Sequence, residues 1–183
     1  WTIQANSSAY PLIATGNNWA WNAGCAGNRE TVVHIKDVDL GFDAITGGGG
    51  VTIDIIGNMT IRAFTVSTAD TLNITIPDTA IKMENGGCKN LLINGQANFI
   101  GTQGHNILFT QRIPAAETQI TIAGTSILNH VTTHIANGCY GTALLVNNGS
   151  TIINDLTMEE DASSYGAFGV GAGTSVTATN STF

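Results

Sequence analysis

From Val51 to Asn94 the chain alternates apolar and polar residues in short runs. The segments are VTIDIIGNMTIRAF, TVSTADTLNITIPDTAIKME and NGGCKNLLING, broken by Gly, Asn, Asp and Pro. Alternation with period two marks half-buried strands, and the breakers mark tight turns. On this pattern Val51, Ile53 and Ile55 share one face and Thr52 and Asp54 the other. Leu72, Ile74 and Ile76 likewise face inward, opposite Thr71, Asn73 and Thr75. Met59, Ile61 and Ala63 form a second strand, matched by Ile81 and Met83. The runs return after about twenty residues, as in Ile53 to Leu72 to Leu91 and Ile61 to Ile81 to Ile100, and a strand-turn-strand unit of that length predicts a solenoid.

The pattern extends both ways. Thr31 to Ile45 carries two alternating runs with Val33, Ile35, Val38 and Leu40 inward, before the Gly47 to Gly50 loop. After Leu91 and Ile93 the rows continue through Phe99 or Ile100, then Ile107 to Phe109. Beyond Pro114 they resume at Ile120, Ile122, Ile127 and Leu128. Leu144 to Val146, Ile152 with Ile153, Leu156 with Met158, Phe168 to Val170 and Val176 read as later strands. No segment reads as a helix. The expectation is an all-β chain, a right-handed parallel β-helix over residues 31–183 with about eight rungs of roughly 20–24 residues. No strict hexapeptide repeat of the left-handed kind occurs. Residues 1–30 are irregular and rich in aromatics, and predict an N-terminal cap or lead-in. Opening on Trp1 and ending in the strand-like TSVTATNSTF, the chain reads as a fragment of a longer one.

Composition sharpens this picture. Charged residues are 10% of the chain, against about 25% in ordinary domains. Solubility therefore falls to Thr, Asn, Ser and Gly, which suit exposed strands and rung corners. The net charge is −7 with only six Lys and Arg, which predicts no nucleic-acid partner. No apolar run approaches the ~20 residues of a membrane span, so no membrane insertion is expected. Cys25, Cys88 and Cys139 lie roughly 63 and 51 residues apart, several rungs along a stack with strands ~4.8 Å apart. They read as free thiols at repeated turns, without the close paired spacing of a zinc site.

Candidate chemistry is sparse. A glycosidase needs two carboxylates about 5–9 Å apart, and no carboxylate ladder is visible: the rungs after Asp54 offer Asn73 or Thr75, then Thr121. Arg62 faces Lys82 or Glu84, then Asn98. The acids that remain are Asp37 and Asp39, near His34 and Asp43, and Glu159 and Glu160, beside Asp161. Asp37 and Asp39 point the same way on a strand, but two acids in a D-x-D spacing are too few ligands for a hard cation, so neither metal nor cofactor is expected. His130 and His134 in HVTTH lack the glutamate of a zinc-protease helix and sit among β-branched residues. Trp19, Trp21 and Tyr10 serve either as a cap over the solenoid end or as a platform for sugar rings.

Low charge, abundant Gly, Thr, Asn and Ser, and stacked runs such as VTIDII, TLNITI and NLLING make residues 31–183 similar in texture to the β-helical shafts of phage tail fibres and tailspikes. That resemblance implies a homotrimer, a virion or cell-surface location, and a structural role in host attachment through cell-surface polysaccharide. Pectate-lyase-like enzymes share the fold, so a polysaccharide lyase or hydrolase is the alternative, and a bacterial surface adhesin comes third.

Overall fold

Alternation with period two puts every second side chain on one side of a strand, and here it winds the chain into stacked coils. The structure is a computed structural model that describes residues 2–5, 14–15, 18–19, 32–36, 38–42, 52–55, 57–61, 64–66, 68–83, 91–111, 118–135, 142–159 and 168–183. All regular elements among them are strands. Strands stack in parallel into a β-solenoid of at least four turns.

Three ladders make up the stack. The first contains β4 (Val32–Lys36), β6 (Thr52–Ile55), β9 (Thr71–Ile74) and β12 (Gln96–Ile100), then the leading halves of β15 (Ser126–His134) and β17 (Ser150–Glu159), and β19 (Ser175–Thr179). The second contains β5 (Val38–Phe42), β7 (Met59–Ile61), β10 (Ala80–Met83) and β13 (Ile107–Gln111), and the trailing halves of β15 and β17. The third holds β8 (Phe64–Val66), β11 (Leu91–Ile93), β14 (Ile120–Ile122), β16 (Leu144–Val146) and β18 (Phe168–Val170). At the start of the chain, β1 (Thr2–Ala5) pairs antiparallel with β4, and β2 (Ala14–Thr15) pairs antiparallel with β3 (Asn18–Trp19).

Inward columns make the core. Ile53 stacks on Leu72 and then Ala97, while Ile55, Ile74, Phe99, Leu128 and Ile153 follow one another on the same ladder, all buried. Met59, Ile81 and Phe109 do the same on the second ladder, and Phe64, Leu91, Ile120 and Leu144 on the third. Phe99 and Phe109 close the space between two ladders, with ring centroids 5.0 Å apart.

Several expected rows are corrected. Leu91 does not continue Ile53 and Leu72; it belongs to the third face, and Ala97 takes that place. Ile61 stacks on Met83, and Ile100 on Asn129. Ile76 is 45% exposed, because β9 ends at Ile74 and the chain turns through Pro77 and Asp78, with Thr79 N donating to the Ile76 carbonyl. Ile127 and Ile152 point outward, while Ser126 and Thr151 occupy the inward positions beside them. The third residue of the Asp54 column is Asn98 rather than Thr121, which lies on the third face. Lys82 stands opposite Thr60, on a ladder that does not include Asn98.

Where the third ladder turns into the first, the coils approach too closely for side chains. A Cβ on Gly124 would lie 1.8 Å from the Gly95 carbonyl oxygen, and one on Gly149, at φ +75°, would lie 2.5 Å from that of Gly124. Gly124→Ala therefore forces two backbones apart, and thermal unfolding is expected to show a loss of more than about 2 kcal/mol.

The facing of β9 gives a second test. Ile74 is 1% exposed and Thr75 is exposed. Ile74→Asp buries an unpaired charge and is expected to abolish folding, with a cost above about 4 kcal/mol. Thr75→Asp is expected to stay within about 0.5 kcal/mol of the parent. Equal melting of the two variants would refute this facing.

Candidate functional site

Side chains with chemistry gather along the corner where the first ladder bends into the second. Asp78, His130, Asp155 and Asn180 adopt φ values of 62°, 51°, 58° and 52°. This left-handed conformation is costly for most residues and is adopted most readily by Gly, Asn, Asp and, less often, His. One such residue bends the chain without a longer loop, which is why β15 and β17 each run over two faces. On an earlier coil the corner is instead a small loop, Thr102 to His105, closed by the bridge between those two residues with Gly104 at φ +78°.

Because corners stack, their polar side chains meet. His130 Nδ1 lies 2.6 Å from Asp155 Oδ2, with the side chains 20% and 39% exposed. His105 Nδ1 lies 2.9 Å from Asp78 Oδ2, both exposed. On the second face His134 Nδ1 lies 3.2 Å from Glu159 Oε2, again with both side chains exposed and in direct register. His34 is in register with Asp54. Each of the chain's four histidines thus stands one coil from a carboxylate. In the pairs of His105, His130 and His134 it is Nδ1 that faces the acid, and the tautomer protonated there donates to it.

Such a pair orients an imidazole, whereas a glycosidase uses two carboxylates about 5–9 Å apart. Among the described residues no two carboxylates are register partners on neighbouring coils. Asp155 and Glu159 lie four residues apart on β17, about 13 Å of extended chain, beyond the ~9.5 Å limit of an inverting pair. No group of three or more metal-ligating side chains occurs among the described residues.

The other outward columns of the first face carry amides and hydroxyls. Asn73 Nδ2 donates to Asp54 Oδ1 at 2.8 Å, and Asn98 Nδ2 donates to Asn73 Oδ1 at 2.8 Å. Asn154 Nδ2 donates to Asn129 Oδ1 at 2.7 Å, and Thr179 and Asn180 both donate to Asn154 Oδ1 at 3.0 Å. Beside the first of these runs a row of Thr71, Gln96, Thr125, Ser150 and Ser175.

Of the residues singled out by sequence, Glu159 is placed fully: it closes β17, exposed and paired with His134. Asp39 lies in β5 and Trp19 in β3. Asp37, Glu160, Tyr10 and Trp21 lie outside the described residues, as do Asp43, Asp161, Arg62, Glu84 and the three cysteines. The pairs of His105 and His130 were missed by sequence reading. Their signal was the roughly 25-residue spacing between a histidine and an acid at equivalent corners, readable only once the coil length is known. No family model, no curated protein and no solved structure matches the chain.

The corner geometry is testable at Asp155. Asp155→Gly keeps the left-handed conformation and loses only the His130 contact, with an expected cost under about 1 kcal/mol. Asp155→Val places a β-branched residue at positive φ and is expected to cost about 2 kcal/mol or more. Thermal melts of both variants measure the difference.

Proposed function

We propose that this chain is a shaft segment of a virion attachment fibre, a structural rod that also holds a cell-surface glycan. The observation that carries this reading is the outward surface of the first face. Its columns are mainly hydroxyls and amides, with the carboxylate of Asp54 and the exposed Ile127 and Ile152 among them, and two ladders, Asp54–Asn73–Asn98 and Asn129–Asn154–Thr179, hydrogen-bond from coil to coil. A surface of that kind is rigid and offers many hydrogen-bonding groups to sugar hydroxyls without activating a nucleophile. The full reading is a right-handed β-helix of about eight rungs, the hand favoured for parallel crossover connections. Three copies lie side by side, outside the cell or on the virion.

The alternative is a polysaccharide lyase or hydrolase, and the specific observation in its favour is the exposed His134–Glu159 pair. A surface adhesin is the third reading.

Sedimentation of the purified chain, with a depolymerase assay on the same sample, tests the proposal. A trimer that persists in mild denaturant and releases no oligosaccharide is the expected result. A monomer that cleaves polysaccharide, with activity lost in Glu159→Gln, would replace the fibre reading by the enzyme one.

A further inference from the structure

We infer that the outer surface of the leading halves of β15 and β17 is the glycan contact, and that its ligand is a neutral polysaccharide lying along the solenoid axis. This deepens the glycan-binding reading above and rests on it. On these two coils the outward residues repeat as hydroxyl, isoleucine and amide: Thr125, Ile127 and Asn129, then Ser150, Ile152 and Asn154. Ile127 stacks on Ile152, and Asn129 on Asn154. Ile127 is 37% exposed and Ile152 52%. The same column on earlier coils holds Asp54, Asn73 and Asn98, which are tied to one another. The surface therefore changes from a closed polar ladder to an open apolar pair at Ile127.

Area decides between occupants. Two half-exposed isoleucines offer on the order of 100 Å² of apolar surface, while a stable protein interface takes about 800 Å² from each partner. The pair is too small to hold a second copy by itself. It matches a sugar ring, whose C–H face is apolar and whose rim carries hydroxyls, because the pair is flanked on one side by Thr125 and Ser150 and on the other by Asn129 and Asn154. A few placed polar groups around an apolar floor is the usual form of a small-ligand contact. Hydrogen-bonding capacity remains there as well. Asn129 accepts from Asn154 through Oδ1, and among the described residues its Nδ2 donates to nothing. Successive coils, ~4.8 Å apart, present this set twice along the axis, which suits an extended chain of sugars.

Charge selects the class. None of the six residues is ionisable, and the chain carries a net charge of −7, so an acidic polysaccharide is repelled at long range while a neutral one is not.

The test is retention of the wild-type chain and of the double variant Ile127→Ser/Ile152→Ser on immobilised dextran, galactan and polygalacturonate. Wild type is expected to bind a neutral polymer and not polygalacturonate. The double variant is expected to bind about tenfold more weakly, with unchanged melting and sedimentation, while Ile152→Val retains binding. Equal binding by the double variant would overturn this site and leave the glycan reading standing. Retention on polygalacturonate alone would overturn the neutral class. A shift of the double variant to a smaller species would assign the isoleucines to a second copy instead. Wild type passing all three polymers would overturn the site together with the reading it rests on.

Discussion

In-register stacking governs this molecule. Each coil must place, at every position, a residue that fits the same position on the coils before and after it, at a strand separation of ~4.8 Å. Inward, the requirement is shape, met by stacked apolar residues along each ladder, with Phe99 and Phe109 filling the space between two of them. At one corner the requirement is the absence of a Cβ, met by Gly124 and Gly149. At another it is a left-handed residue, met by Asp78, His130, Asp155 and Asn180. Outward, it is mutual hydrogen bonding, met by Asn on Asn. These requirements are independent in chemistry but share one spacing, so a change in coil length must be absorbed in a loop rather than in a strand.

That last point explains what the sequence reveals and what it conceals. Between Ile53 and Leu72 the coil is short and the apolar beats fall in plain sight, so the facing of β6 and β9 follows from alternation alone. Farther on, the separation of stacked partners grows from 19 residues for Asn73 and Asp54 to 25 for Asn98 and Asn73. A fixed step of about twenty then lands on Leu91, one face early. Hydrophobicity also misleads at Ile127 and Ile152. Leu128 and Ile153 fix the inward phase, so period two turns their apolar neighbours out and draws Ser126 and Thr151 in. A buried hydroxyl beside an exposed isoleucine opposes the usual cue, and only the stacking partner resolves it. Ile76 fails for a different reason: Pro77 and the positive φ of Asp78 end the strand before the alternation does.

The candidate site was legible in part for the same reason. Residue types were visible, as with Glu159 and the HVTTH histidines, but a solenoid builds its sites from residues one coil apart. A pair such as His130 and Asp155, 25 residues apart, has no local motif. It becomes visible when the coil length is known to one residue, because an error of one moves a side chain to the opposite face.

The histidine–carboxylate pairs follow from corner geometry before they follow from chemistry. A one-residue bend needs positive φ, and the side chains that accept it most readily are short and polar. Stacking then sets those polar side chains against one another, and an acid above an imidazole is a favourable neighbour where two acids would repel. His130 with Asp155 at a bend fits this account completely. His134 with Glu159 does not, since both lie on flat strand with no φ requirement. The same holds for His34 in register with Asp54 on flat strand, and for His105, which has no positive φ, so Asp155 reports on the bend while Glu159 does not.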